Sequence, residues 1–559
     1  MFQNLRLTMA WLHTWFGLVL GFVLMVVFFF GALSVFDREI DRWAIPETRF
    51  EPQPMPSFDK VLRPVFESMQ PDPGQIELAR SRVDGPMATH FPVAKTWGAY
   101  TTHRDPVLGV FAGFELPNAK DPDDIIWGTR TIDPRTGKTL PDDQLKIGSQ
   151  FFYPLHYSLN INWRDLGTWI VGFAALVMLV ALVSGVIVHR KLFRELFTFR
   201  PGKNTQRSVL DLHNLTGVVA LPFHFVFAFS GLLIFGGTYF PIGHTQLKPL
   251  HDLHEVLESQ ETGLPHERAG VPGRLASVDA MMAEAQRRWQ ARGMAGEVGF
   301  LTVRHVGDAN AYVSIYRAGT DRIALTGEGI HFNAATGEVI REDPPPTVAQ
   351  HINTFLTGLH LQHFRHWTLR WLYLMGGLLG CVCIATGFLF FVEKRKRQHA
   401  AQGLRGARWV DGFAVSAVTG MLVAALAMLV ANRLLPADLP GRGDWEQYAF
   451  WAAWALALAH GLWRTAPVAQ ARIAPAWAEQ CLAVAVLAVA AVLLNWVTTG
   501  DHLGRTLAAG YWPVAGVDLF LLGAAAMAFL AARALRRRSG VPSASAAANA
   551  PSRSEAARA

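Results

Sequence analysis

Histidines stand in or beside several long apolar runs, among them His13, His189, His213 and His224 within or at the edges of such runs, and His156, His360 and His363 just ahead of two others. Imidazole is the usual axial ligand of haem iron, and a polar side chain in a membrane helix usually faces the protein interior for a functional reason. The stretch 207–237, RSVLDLHNLTGVVALPFHFVFAFSGLLIFGG, carries two of these histidines eleven residues apart. Read as one straight helix, it places His213 and His224 within about 20° of the same face and ~16 Å apart in depth. That spacing suggests two haems stacked across a membrane. Interhelical hydrogen bonding and a histidine proton relay remain open as alternatives. Zinc fits less well, because no carboxylate or thiolate joins these histidines at zinc-site spacing.

Depth sorts the histidines into two sets. His13, His189 and His213 lie at one edge of three spans, while His156, His360 and His363 lie at the other, with His224 reaching up from the middle. A six-coordinate haem takes two nitrogens from opposite directions, and both depths can supply them. Cys381, Cys383 and Cys481 fall within spans and none forms CxxCH, so any haem is b-type and the cysteines read as small packing residues. Gly17, Gly21, Gly31, Gly172, Gly185, Gly217 and Gly231 lie inside the spans, where small residues let helices approach or leave room for a flat macrocycle. Arg200, Arg365 and Arg370 lie near the membrane faces and are candidates for propionate pairing or for topology alone.

The elements that must position these residues are membrane helices. With 51% hydrophobic and 17% charged residues, the chain is neither an ordinary soluble protein nor wholly membrane-embedded. Eight stretches read as spans: 11–36, 167–188, 209–235, 369–391, 413–434, 447–463, 478–497 and 513–532. The first lacks a cleavage site and is too long for a signal-peptide core, so it reads as an uncleaved anchor. Basic residues cluster after the second, fourth and eighth spans, which puts both termini in the cytoplasm. The net charge of +7 is mostly this asymmetry, and no nucleic-acid partner is implied.

These features divide the chain into a span at 1–36, an external α+β segment at 37–165, a span at 166–190, a cytoplasmic loop at 191–207 and a span at 208–240. A second external segment follows at 241–367, then a span at 368–392, a loop at 393–409, a four-span bundle at 410–535 and a disordered cytoplasmic tail at 536–559. Each external segment holds a helical run (SFDKVLRPVFESM, interrupted by Pro64, and SVDAMMAEAQRRW), strand-like pieces and a turn signal.

A repeat runs through the first four spans. HTWFG at 13–17 matches HNLTG at 213–217, Gly31 matches Gly231, and DPRTGK at 133–138 matches NAATGE at 333–338, all at an offset of 200. LH at 155–156 matches LH at 359–360, and SG at 184–185 matches TG at 386–387. The unit is span, external α+β segment, span, twice over in parallel orientation. His13 and His213 are therefore equivalent, as are His156 and His360. His189 and His224 have Phe391 and Leu24 at the equivalent positions. The last four spans show no kinship to the repeat and read as an appended bundle, in which His460 is expected to form an interhelical hydrogen bond.

HTWFG, SGVIVHRKLFRELFTFRP, DLHNLTGVVALPFH, the two turns and RWLYLMGGLLGCVCIATG together resemble the PepSY-associated transmembrane family, over about residues 1–400. That family includes iron-regulated inner-membrane proteins and siderophore-iron reductases. The resemblance implies a mainly α-helical membrane fold: a duplicated core of four spans with two periplasmic PepSY-type α+β domains, here followed by a C-terminal four-span bundle. For the reductase members it implies two b-type haems carrying electrons outward to a periplasmic ferric siderophore or other ferric chelate. His13, His156, His189, His213, His224 and His360 fall on matching motifs. The axial ligands are expected among His13, His213, His224 and His360, with span three supplying one to each haem. No GxGxxG follows a strand, so the electron donor is a membrane quinol or a partner carrying flavin or NAD(P)H. PepSY domains also occur as inhibitory modules of secreted peptidases, so the rival reading is a non-catalytic anchor for an external protein. A transporter is a third reading, against which the first four spans hold no acidic residue or lysine near mid-membrane.

Overall fold

The computed structural model describes all residues except 1, 86, 89–90, 92–93, 102–104, 121–123, 141–143, 190–204, 241–252, 254–256, 258–260, 320, 325–327, 466–472 and 539–559. Most of the expected basic loop at 191–207 and of the tail at 536–559 therefore lies outside the described residues. The chain divides into two units: 1–44, 145–224 and 374–559 form one, and 45–144 with 225–373 form the other.

The first unit is helical. Among the described residues, five helices are long and apolar enough to cross a membrane, and seven spans result if each of two bent pairs counts as one. The five are Trp163–Val188, Trp367–His399, Gly406–Leu434, Pro475–Thr499 and Trp512–Arg537. The expected span at 447–463 lies on the helix Arg442–Arg464, which does not meet the same measure. Its ends carry Arg442, Asp444, Glu446 and Arg464, leaving a short apolar middle.

Each bent pair breaks at an equivalent place. Phe2–Val19 meets Gly21–Ser34, and Thr205–Val219 meets Leu221–Ile234, each at 62°. Backbone bonds continue on either side, from Leu20 N to Phe16 O at 3.0 Å and from Ala220 N to Thr216 O at 3.1 Å. In the second pair Pro222 lacks an N–H and its ring crowds the preceding turn, an ordinary cause of a kink. The stretch 207–237 is thus not one straight helix, and the ~16 Å depth that a straight helix gives His213 and His224 no longer follows.

The C-terminal helices pack on the earlier ones. Phe388 shares a core with Ala414, Val415 and Trp477, and Phe450 stands 4.9 Å from Phe151 and 6.0 Å from Phe30, centroid to centroid. Buried Trp43 donates to Asp518 at 2.8 Å, and Arg433 donates to the Ala44 carbonyl. His460 bonds Glu479 across helices at 3.0 Å, as its position suggests.

The second unit holds one seven-stranded antiparallel sheet, ordered β3-β2-β1-β4-β5-β6-β7. Strands β1 (Ala94–Tyr100), β2 (Leu108–Glu115) and β3 (Ile125–Ile132) come from the first of the two α+β segments. Strands β4 (Val298–Arg304), β5 (Tyr312–Arg317), β6 (Gly329–Asn333) and β7 (Val339–Glu342) come from the second. The segments, separate domains in the sequence reading, meet where β1 pairs β4 with Gly98 opposite Thr302. One sheet face packs on the helices through residues such as Trp97, Val110, Ile126, Leu301 and Ile315. DPRTGK and NAATGE form matching turns: Gly137 N reaches Asp133 O and Gly337 N reaches Asn333 O, both at 2.8 Å. These glycines have φ of +74° and +78°, the left-handed region that glycine enters without a Cβ penalty.

The helical runs SFD and SVD cap one another. Ser57 accepts from Lys60 N and donates to Asp279 at 2.5 Å, while Ser277 accepts from Ala280 N and donates to Asp59 at 2.7 Å. Each aspartate also takes backbone N–H groups of the other helix start: Phe58 N lies 2.7 Å from Asp279, and Asp279 N lies 3.3 Å from Asp59. Helix starts leave such donors unpaired, and here each is satisfied by the other segment.

Candidate cofactor site

His13 lies on Phe2–Val19 and donates from Nδ1 to the Ala181 carbonyl at 3.0 Å, with Ser184 Oγ at 3.3 Å. His213 lies on Thr205–Val219 and donates from Nδ1 to the Cys383 carbonyl at 2.8 Å. A carbonyl only accepts, so Nδ1 carries a proton in both rings, and the neutral form of each ring keeps its Nε2 lone pair for a ligand bond. The two ring centroids are 6.1 Å apart, with planes at 79°. Two imidazole nitrogens about 2 Å from one metal ion on opposite sides, with the ring radii added, require centroids roughly 6 Å apart. The repeat-related pair thus has the tautomer and the separation of an axial ligand pair.

Glycines make room for these rings. A Cβ on Gly185 would stand 3.3 Å from His13 Cε1, and one on Gly387 would stand 3.5 Å from His213 Cε1. Around them lies a cavity of about 430 Å³ whose walls include Leu24, Phe28, Ile384 and Phe388, within the range of cofactor pockets. His189 and His224 also line it, as do Lys394 and Arg395. A flat, apolar, anionic macrocycle fits this set: neutral imidazoles for its metal, apolar walls for its ring and two cations for its carboxylates.

His224 differs. It is buried, stands 5.2 Å from Phe28 edge to face, and its Nε2 bonds the Gly376 carbonyl at 3.3 Å. That bond uses the nitrogen which His13 and His213 keep available. His189 follows the helix Leu166–Val188 and its backbone N–H bonds Gly185 O at 3.1 Å.

At the other histidine level the same device recurs within each unit. In the first, His156 donates from Nδ1 to Val27 O at 2.8 Å, close against Gly31, where a Cβ would stand 2.6 Å from that nitrogen. In the second, His360 Nδ1 lies 2.9 Å from Ser230 Oγ, and Ser230 donates its own proton to Val226 O. Ser230 must therefore accept, which again leaves Nδ1 protonated. Gly231 lies under His360, with a Cβ position 3.0 Å from Cε1. His363 is exposed after the end of the helix Val348–Leu361. Arg370 is buried beside Trp367, Arg365 is exposed, and Arg200 lies outside the described residues. Among the described residues no group of three or more His, Cys, Asp or Glu side chains is placed to hold an ion.

Sequence reasoning missed Ser230 and the carbonyl acceptors Ala181, Cys383 and Val27. The repeat signalled only where the rings lie, since Gly185, Gly387, Gly31 and Gly231 are the glycines against them.

The description of the PepSY-associated TM region matches residues 10–394. The chain is also 27% identical, over 387 residues, to an uncharacterized protein of Pseudomonas aeruginosa, across 66% of this chain and 90% of that one.

Proposed function

The chain belongs to the PepSY-associated transmembrane family, and from that premise and the neighbouring rings of His13 and His213 we propose that this multi-pass membrane protein is a b-type dihaem reductase of the bacterial inner membrane. In this reading the first four spans are a duplicated unit, both termini are cytoplasmic and the sheet-bearing segments face the periplasm. Haem, when bound, accepts and passes on single electrons. His13 and His213 would hold the inner one, and Lys394 and Arg395, which line the same cavity, would supply cations for its carboxylates. His156 and His360, equivalent in the repeat and each with Nδ1 held by an acceptor of its own unit, are each a candidate ligand for an outer one. His224, with Nε2 bonded to a carbonyl, positions the helix 221–234 against Gly376 and lines the wall. This replaces the expectation that span three supplies a ligand to each haem.

The chain's task is then to hold two imidazoles per metal, exclude water with apolar walls and leave a path outward. The electron donor is a quinol or a partner protein, and the acceptor is an external ferric siderophore or similar chelate. Hard oxygen ligands hold Fe(III) far better than Fe(II), so one-electron reduction releases the iron.

The observation that carries this reading is the 6.1 Å separation of two rings whose Nδ1 atoms are both committed to carbonyls. The test is the absorption spectrum of the full chain purified with haem supplied. A low-spin b-type spectrum with two haems per chain is expected, with His13→Ala and His213→Ala each losing the same one. His224→Ala should retain both. Haem-free protein would point to the non-catalytic anchor, and an unaltered two-haem spectrum in both single variants would overturn the assignment of His13 and His213 as ligands.

A further inference from the structure

We propose that the aromatic strip on the face of the seven-stranded sheet turned away from its core is a stacking platform for planar aromatic anions. Resting on the reductase reading, this names the substrate as a catecholate-type ferric chelate.

Side chains alternate across a strand. Trp97, Val110, Ile126, Leu301 and Ile315 go to the core, so the neighbouring positions face away from it. There each of five consecutive strands places one aromatic ring: Trp127 on β3, Phe111 on β2, Tyr100 on β1, Phe300 on β4 and Tyr316 on β5. The rings form one strip. Centroid separations are 5.8 Å for Trp127–Phe111, 6.4 Å for Phe111–Tyr100, 6.2 Å for Phe111–Phe300 and 5.6 Å for Phe300–Tyr316.

Four of these rings have glycine as their direct cross-strand partner: Phe111 opposite Gly98, Tyr100 opposite Gly109, Trp127 opposite Gly113 and Tyr316 opposite Gly329. A Cβ on Gly113 would stand 2.9 Å from the Trp127 ring and at Gly98 and Gly109 it would overlap the ring outright, while one on Gly329 would meet the Asp343 carboxylate first and Tyr316 at 2.7 Å. The rings therefore lie over bare backbone, where any other residue would lift them. Glycine weakens a strand and often marks the close approach of another group, and here four of them keep a floor of rings low on one face. Tyr100 is 48% exposed, and Phe111, Trp127, Phe300 and Tyr316 are half-buried. Exposed Arg304 ends β4 at the same parity as Phe300 and supplies a cation beside the strip. Ring faces with an adjacent guanidinium suit an anionic aromatic ligand. A hydroxamate chelate has no ring to offer.

The experiment is calorimetric titration of the full chain in detergent with the gallium(III) complex of 2,3-dihydroxybenzoate. Gallium does not undergo iron's reduction, so binding is read apart from electron transfer. Saturable binding is expected, and Tyr100→Ser with Phe111→Leu should weaken it about 10-fold or more. Arg304→Gln should weaken it as well. Tyr100→Ser and Arg304→Gln are surface changes, which keep the test open if Phe111→Leu misfolds. Unchanged affinity in these variants, equal binding of gallium(III) acetohydroxamate, or a dimer that the same variants dissociate would overturn the platform. Haem-free protein that still binds the catecholate complex through these residues supports it and overturns only the reductase reading.

Discussion

Ser230 has no hydroxyl-bearing counterpart in the first half of the repeat, where buried Phe30 takes its place. There His156 reaches the Val27 carbonyl directly, whereas His360 reaches Val226 through the Ser230 hydroxyl. The outcome for the imidazole is the same: a fixed ring and a fixed tautomer. Groups that orient a ligating histidine in this way typically contribute about 10–100-fold to metal affinity. Ser230→Ala should therefore weaken one haem by a comparable factor and leave the other unchanged, as read by haem titration and by the spectrum of each haem. Ser230→Thr, which keeps the hydroxyl, should restore the lost affinity. If Ser230→Ala titrates like the parent, the hydroxyl has no positioning role. Histidine identities and depths were legible in the sequence. Their ring-nitrogen partners were not, because backbone carbonyls carry no residue signature.

At the scale of elements, the helix starts SFD and SVD hold two distant segments together. Asp59 accepts from Ser277, Arg63 and two backbone N–H groups. Burial acts to raise its carboxyl, but those hydrogen bonds outweigh it and hold the group below the usual carboxylate range. A carboxyl depressed in the folded state stabilises the fold above its unfolded value, near 3.9, and that contribution is lost as pH falls through the lower folded value. Thermal unfolding followed by sheet signals should thus lose stability on acidification below about pH 4. Asp59→Asn should lose about 1–3 kcal/mol at neutral pH and flatten that acid limb. An unchanged limb would show that other carboxyls govern it. Both helical runs and both turns were readable from local pattern. The reciprocal capping was not, since it exists only once β1 pairs with β4. The bends divide likewise: Pro222 could have flagged the second, while the first turns at Leu20–Gly21 with no proline.

Over the whole molecule, the proposed orientation rests on lysine and arginine asymmetry, which the fold itself does not encode. A reporter active only outside the cytoplasm should be active when fused after Asp308 and silent after Gln402, and the reverse pattern would invert the proposed direction of electron flow. The last four helices pose the remaining question. None of the Nδ1 acceptors comes from them, since Ala181 and Cys383 serve His13 and His213, and Val27 serves His156. Yet Trp43 bonds Asp518, Phe30 packs near Phe450, and Phe388, a wall of the cavity, shares a core with Trp477. Uncovering large buried side chains costs about 1.5–3 kcal/mol each where water reaches them, less where lipid takes the bundle's place. A chain ending after His399 should therefore insert and bind haem at His13 and His213, but denature in detergent at a markedly lower temperature than the full chain. Thermal loss of the haem absorption band, measured for both chains, checks this. A truncated chain that folds without haem would place a ligand or an essential wall in the bundle, and one with undiminished thermal stability would show that these contacts carry little of the fold's stability.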